Sequence, residues 1–521
     1  QELAKEPDSL TVRALVRQRS EALVQHINHL GEQLDRLQND LNNEIMVRID
    51  EINEITRQIA KLNVTILKNE VSGDTASDYR DQRNTLIDRL TKLVKVDVIE
   101  MQDGQVDITM GGYFLVQKGV STDLYAAERK TGENFYVPKL AGTDIEVPVK
   151  GGILKGLMES RGEVSGAIGS YENGTPNTRA DVVFYVDTST MSAADANARA
   201  AAYEAELMKR GLDVNIIIED AASAADFAAT VQNTSGLRND ANKYAFFITN
   251  GSLAEDQMDD LKEELEALGR DASVITSTPS DWSALTGSLD GMTYSLADFS
   301  ADVADPSFIS LVNGMAYDTN MDVSANYSLV GDSLNIVSDV KMRLNALVSV
   351  MLREINYLHR SGMNIKDPPE SGGDLFVVIN PAKPLEMGNI QLNPALADLS
   401  VIAASKTGEP GDNAIALEIA NLRNKAMIMD KMGLVSLDDY YQHIILTIGN
   451  NGSDAARIAE SQSRLVDAAD AQRTSITGVS MDEEMSNMLK FKFAYDAASR
   501  VLNIIDSMLE TVVNRLGVAG R

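Results

Sequence analysis

The sequence predicts a multidomain α+β protein. A long helical rod, a coiled coil or bundle, is built from both chain ends. Small β-rich elements adjoin it, and a doubly wound α/β domain is inserted in the middle. Three observations predict this. Apolar residues recur in steps of three and four over the first seventy and the last hundred residues, which draws an apolar stripe along a helix. Short alternating runs with turn residues follow the first helices, as strands require. In the middle of the chain, buried-type strands alternate with helix-length segments, the pattern of a parallel sheet.

The first long helix is expected over residues 9–70. Leu23, Ile27, Leu30, Leu34, Leu37 and Leu41 set its seam, and Ile45, Ile49, Ile52, Ile55, Ile59, Leu62 and Ile66 continue it after a change of phase. A run of this length without internal caps suggests a coiled coil or bundle. Gly73 ends it, and a second helix over 77–94 is expected to fold back antiparallel. The runs 96–101 and 106–110 flank Asp103-Gly104, a strong hairpin signal. Further short strands are expected at 113–117, 124–127 and 134–138, and a helix at 151–161 ending at Gly162.

The texture changes over 163–328. Strands are expected at 181–187, 213–219, 244–249 and 272–276, with helices at 193–210, 221–232 and 253–268 between them. No Lys or Arg occurs from 271 to 340, so this block is read as a separate acidic domain. A helical seam returns at 340–358, a β-rich passage includes 374–379, and helices are expected at 414–432, 437–448, 455–477 and from 481 to the end. The resulting division is 1–95 helical rod, 96–162 β-rich hairpin segment and helix start, and 163–328 inserted α/β domain. It continues with 329–362 returning helix, 363–411 β-rich segment, 412–478 helical rod and 479–521 terminal coiled-coil helix.

The last helix carries the candidate functional residues. Phe491, Ala494, Ala498, Val501, Ile505, Met508 and Val512 form a seam with little chain left to cover it. Such a seam needs a partner, either the other chain end or a neighbouring copy.

Composition narrows the function classes. The formal charge is −30, which repels phosphate backbones and argues against nucleic-acid partners. The absence of cysteine excludes disulfides and thiolate-held metals. No apolar run approaches the ~18–20 residues of a membrane span. No catalytic site, metal site or cofactor is expected. Asp187-Thr-Ser-Thr-Met191 and Thr249-Asn250 resemble the metal-binding corner of von Willebrand A-type domains, but Met191 and Asn250 stand where oxygen ligands belong. A helix cap from Asp187 or Ser192 is the better reading. Residues 187–198 lack the glycines of a phosphate loop. His26 and His29 share a helix face without a carboxylate in step except Glu32, and read as solvated. There is no His-Glu-x-x-His, which excludes a zinc protease of that type. Glu483-Glu484 opens the last helix with Ser480 in capping-box spacing, a helix-dipole arrangement rather than an acid–base pair.

Ser475-Ile-Thr-Gly-Val-Ser-Met-Asp-Glu-Glu-Met485, followed by residues 491–495 and 500–505, resembles the C-terminal signature of the flagellar hook-associated protein 1 family. Pro7-Asp-Ser-Leu10, residues 42–51, Arg80-Asp-Gln-Arg83, Gly151-Gly152, Glu354-Ile-Asn-Tyr-Leu-His-Arg-Ser-Gly362 and Gly411-Asp-Asn413 extend the resemblance over 1–161 and 340–521. It implies a secreted structural subunit of the extracellular bacterial flagellum, joining hook to filament as a ring of identical subunits. Implied partners are the hook protein, the second hook-associated junction protein and an export chaperone on the C-terminal helix. It also implies a helical segment preceding Gln1, so the chain reads as N-terminally truncated, and the block 163–328 reads as an insertion. The alternative is a secreted surface-binding protein or adhesin whose inserted domain holds a ligand.

Overall fold

The computed structural model describes residues 1–71, 76–128, 135–162, 170–172, 175–177, 181–186, 192–209, 215–220, 245–249, 272–277, 293–294, 336–381, 383–430, 433–478 and 480–516. The chain forms two compact units, Gln1–Ile444 and Ile445–Arg521, taken here one at a time.

The first unit is organised on one helix. After the short α1 (Glu2–Lys5), α2 runs Leu10–Val71, 62 residues, or ~93 Å at ~1.5 Å per residue. Its buried positions include Val24, Ile27, Gly31, Gln38, Asn42, Ile45, Ile49, Ile52, Ile55, Ile59, Asn63 and Ile66. They follow the helical period without a break.

The leucine seam expected over 23–41 is therefore displaced. Leu23, Leu30 and Leu37 are exposed, while their immediate neighbours Val24, Gly31 and Gln38 are buried. The cause is a close approach of backbone. A Cβ on Gly31 would lie 2.8 Å from Met387 Cβ, so only glycine fits there. Beside it, Asn28 donates to Ile390 O at 2.7 Å and accepts from Gly388 N at 3.0 Å. Hydrogen bonding and contact with this loop select a face one residue along from the leucines.

Antiparallel to the second half of α2 lies α3 (Ser77–Leu93). Arg89 Nε meets Glu51 at 3.0 Å, and Arg80 meets both Glu70 oxygens at 2.7 and 2.8 Å. The strands β1 (Asp97–Glu100), β2 (Val106–Met110), β3 (Tyr113–Gln117) and β4 (Val120–Ser121) form an antiparallel sheet in that order. The expected hairpin turn is present, with Gly104 at φ +79. β5 (Leu124–Glu128) pairs with β6 (Tyr136–Leu140). All pack on α2 through Ile45, Ile49, Ile52, Ile59, Leu90, Ile108, Met110, Leu115 and Leu154. This part of α2 is thus the spine of a mixed α/β core, where the sequence suggests a coiled coil.

The sheets are fixed to α2 by asparagines. Asn53 accepts from Leu124 N at 2.8 Å and donates to Leu124 O at 2.7 Å. Asn63 accepts from Val106 N at 3.2 Å and donates to Val106 O and Lys118 O at 2.7 and 2.5 Å. Asn42 accepts from Tyr136 N at 3.0 Å. Each bonds backbone groups of a strand or, at Lys118, of the turn between β3 and β4.

Helix α4 (Ile153–Arg161) ends just before residues 163–335. Arg161 is buried; it donates to Asn42 Oδ1 at 2.6 Å and Tyr136 O at 2.8 Å. Ser338, on the returning helix, donates to Arg161 O at 3.2 Å, and Gln38 of α2 donates to both. Lys341 is ion-paired with Asp35 of α2. The two ends of the excursion are therefore clamped together on α2.

Within the excursion, β7 (Ser170–Glu172) pairs antiparallel with β8 (Thr175–Asn177). β9 (Asp181–Val186), α5 (Ala193–Lys209), β10 (Asn215–Asp220), β11 (Ala245–Thr249), β12 (Ala272–Ser277) and β13 (Thr293–Tyr294) follow. The five strands lie in the order β10-β9-β11-β12-β13, all parallel. The helices expected at 221–232 and 253–268 lie outside the described residues.

The unit closes with α6 (Ile336–Ser361), the pair β14 (Phe376–Val378) and β15 (Ile390–Leu392), and α7 (Ala414–Asn421). The helix expected over 414–432 stops early. A 3-10 turn at Leu422–Asn424 leads into the hairpin β16 (Ala426–Asp430) and β17 (Gly433–Ser436). Its apolar residues suit either period; burial of Met427 and Ile428 in the cluster of Val350, Leu358 and Tyr440 selects the strand.

Replacing Asn53 by alanine leaves Leu124 N–H and C=O buried and unbonded. It is expected to destabilise the first unit by about 2–6 kcal/mol, at ~1–3 kcal/mol per orphaned group, read from urea unfolding followed by far-ultraviolet circular dichroism. Excising 163–335 and joining Gly162 to Ile336 through a short Gly-Ser linker is expected to leave the frame cooperatively folded and to raise its unfolding free energy by up to ~3 kcal/mol, because a shorter loop costs less to close, at ~0.6 kcal/mol per halving. Loss of the cooperative transition would contradict the clamp.

Candidate assembly surface

The second unit consists of two helices. α8 (Leu437–Thr477) begins in the first unit and continues through residue 477; α9 spans Met481–Leu516. The sequence suggests a break between 448 and 455, yet α8 is continuous through Gly449 and Gly452. A Cβ at either glycine would meet nothing within 4 Å. Each glycine subtracts only ~1 kcal/mol from the helix relative to alanine.

Both helices keep their apolar residues outside. From 445 to 511, no described residue is buried. Of the seam residues, Phe491 is 75% exposed, Val501 54%, Ile505 46% and Met508 61%. Ala494 and Ala498 are exposed as well. Val512 lies on α9, and its side chain is outside the described set.

The helix also brings together residues that the seam omits. At 3.6 residues per turn, Tyr495, Leu502 and Leu509 lie beside the seam, and Met481, Met485 and Met488 extend that second stripe toward the N-terminal end. All six are exposed. The apolar arc is therefore wider than the narrow stripe of a two-stranded coiled coil and has room for two neighbours. On α8, Ile458, Leu465, Val466 and Ile476 are exposed too. A width measurement on the helical wheel, in place of a search for one seam, reveals the second stripe from the sequence.

α9 carries Asp482, Glu483 and Glu484 in its first turn, and Glu484 N donates to Ser480 O at 2.9 Å. These carboxylates answer the helix dipole. The other residues weighed for chemistry lie apart. His26 and His29 are exposed on α2, with His29 Nε2 3.0 Å from Gln33 Nε2. Ser192 caps α5, accepting from Asp195 N at 3.2 Å and donating to its Oδ2 at 2.7 Å. Residues 187–191 and 250–251 lie outside the described residues. Among the described residues, no group of His, Asp or Glu is placed to hold a metal ion, and no helix is long and apolar enough to cross a membrane.

The remaining motif residues serve the frame. Arg13 is buried and donates to Pro7 O at 3.0 and 2.6 Å and to Ile402 O. Arg83 is buried and donates to Gly104 O at 2.7 Å and Asn63 Oδ1 at 3.1 Å. Burial pulls both guanidinium pKa values down. Asp412 accepts from Ser405 Oγ, Thr407 Oγ, Lys406 N, Thr407 N and Ala414 N at 2.7–3.0 Å. These bonds, Ser405 foremost, hold its carboxyl well below the usual range. Next to it, Gly411 N donates to Asp8 and Asn413 donates to Ala4 O, which ties the first residues of the chain to this loop.

Residues 1–175 match the family model described as the flagellar hook-associated protein FlgK helical domain. Residues 471–516 match that of the flagellar basal body rod FlgEFG protein C-terminal region, a span that contains the whole seam. The chain is 33% identical to flagellar hook-associated protein 1 of Bacillus subtilis over 198 residues, 37% of this chain and 38% of that protein. It is 22% identical to flagellar hook-associated protein 1 of Escherichia coli over 505 residues, 95% of this chain and 75% of that protein. Among solved structures, the flagellar hook junction protein FlgK from Burkholderia pseudomallei aligns over 30% of each chain at 24% identity and TM-score 0.28. With family matches at both ends and an alignment joining them, the chain is similar to flagellar hook-associated protein 1 over most of its length.

Proposed function

We propose that this chain is a structural subunit of the bacterial flagellum at the junction between hook and filament, and that it assembles through its terminal helices without catalysis. The observation that carries this reading is the uncovered apolar surface of α9, from Met481 to Met508, within the segment matched by the C-terminal rod family. The name of the relatives, flagellar hook-associated protein 1, supports the location.

Burying a Val, Ile or Met side chain fully is worth ~1.5–3 kcal/mol. Several such residues on one helix supply a strong drive to find a partner. The two adjacent stripes suit two neighbours at once: a helix beside the seam Phe491, Ala494, Ala498, Val501, Ile505, Met508 and Val512, and a second helix beside Tyr495, Leu502 and Leu509. Copies of the chain arranged in a ring supply such neighbours, with the hook protein and the second hook-associated protein on either side of the ring. An export chaperone on α9 keeps the surface covered beforehand. Absence of cysteine suits passage through a secretion channel, since no crosslink can precede export. Beyond the ends, the doubly wound reading of 163–328 rests on the parallel strands and α5 alone. The adhesin alternative gains nothing from these relatives, which are flagellar proteins.

Placing a charge at Val501 is expected to abolish assembly at the hook tip, with the first unit still folded; Val501→Asp that assembles normally removes the seam from the proposal. Leu502→Asp discriminates the second stripe. It is expected to impair assembly at least tenfold in a hook-capping or motility assay, whereas wild-type activity in this variant means that a single seam suffices.

A further inference from the structure

His359 is buried in α6 at 0% exposure and has both ring nitrogens bonded to backbone. Its Nδ1 lies 2.7 Å from Gly373 O, and its Nε2 lies 2.9 Å from Ala403 N. A carbonyl oxygen cannot donate and a backbone N–H cannot accept. Nδ1 therefore carries the proton and Nε2 is a bare acceptor: the geometry fixes the neutral ring in one tautomer. A proton on Nε2 would face the Ala403 N–H donor to donor, in a site closed to water.

The neighbouring contacts give this bond reach. One residue before Ala403, Ile402 O accepts from the buried Arg13 of α2. Two residues after it, Ser405 bonds Asp412, whose loop holds Ala4 and Asp8 of the first residues through Asn413 and Gly411. The short stretch 402–405 thus joins α6, α2 and the start of the chain. Space around the ring is closed, since a Cβ at Gly372 would lie 2.7 Å from His359 Nδ1 and 2.5 Å from Ala403 Cβ.

We propose that His359 is a proton-operated latch, holding the 402–405 segment to α6 while neutral and releasing it, together with its grip on Arg13, when charged.

The charged groups around the ring are few. From α2 comes Arg13, which opposes a second positive charge. From the 371–375 loop comes Asp374, which favours one but is paired with Arg360 of α6 at 2.5 Å. The 402–405 stretch brings no ionisable side chain until the exposed Lys406. Burial outweighs the Gly373 bond and Asp374, and the ring is held below the ordinary imidazole value of 6.5. The sign follows. A ring that is neutral in the closed form and charges on opening gives its full stabilisation above ~6.5, the value in an open chain. That stabilisation is lost as pH falls from ~6.5 toward the lower value of the closed form, by up to tenfold in the closed-to-open ratio per pH unit.

The test is a carbon-detected histidine titration of the full chain from pH 8 to 5, with amide hydrogen exchange read as protection factors. His26, His29 and His443 are assigned by single substitution to Gln. The expected result is a His359 ring neutral in the Nδ1–H tautomer at pH 6.5, with Ala403 protection falling at least tenfold between pH 7 and 5. His359→Gln, where it folds, is expected to flatten the pH dependence of the urea midpoint across that range. A His359 that titrates at or above 6.5, or an Ala403 amide equally protected at pH 7 and 5, overturns the latch whether or not the variant folds.

Discussion

The first unit depends on satisfying backbone groups at the places where strands and loops lean on a helix. A helix has used its own N–H and C=O groups and offers none to a neighbour. Strand ends and loops packed against α2 would therefore bury unpaired donors and acceptors, at ~1–3 kcal/mol each. Asparagine answers this, because its amide carries a donor and an acceptor at the reach of one side chain. Asn28, Asn53 and Asn63 each use both, and Asn356 of α6 does the same for Leu375 N, Phe376 N and Phe376 O. Buried arginines extend the scheme where several carbonyls converge, as Arg13, Arg83 and Arg161 do.

The second unit has the opposite economy. Its helices satisfy their own backbone, and no asparagine or arginine clamp draws another element onto them among the described contacts. Its apolar side chains face outward on two adjacent stripes of α9. Isolated helices of this kind gain most of their stability from burying an apolar face against something else. The division of labour follows from this. The frame around α2 buries its apolar face within itself, and the terminal helices leave theirs exposed.

Much of the fold was legible from periodicity alone. The 62-residue α2, its return as α3, the Gly104 hairpin and the terminal helix all lie where alternation or three–four spacing puts them. The parallel strands β9 to β12 sit within two residues of the expected runs. What failed was phase. Leu23, Leu30 and Leu37 look like a core to any apolar count, yet the buried line is Val24, Gly31 and Gln38. A polar or side-chain-less residue was chosen because backbone had to come close and be hydrogen-bonded. The hairpin at 426–436 failed for a related reason: a short apolar run fits two periods, and only its contact with α6 decides between them.

The sequence by itself determined where helices run, that no thiol chemistry is available, and that the last helix carries an apolar seam along one side. These are local or compositional properties, set by spacing and residue type. Tertiary structure alone decided which face of α2 is buried, that Arg161 and Ser338 meet across 163–335, and that both ring nitrogens of His359 are bonded to backbone, at Gly373 and Ala403. These depend on groups far apart in sequence meeting at hydrogen-bond distance, and no periodicity encodes such meetings.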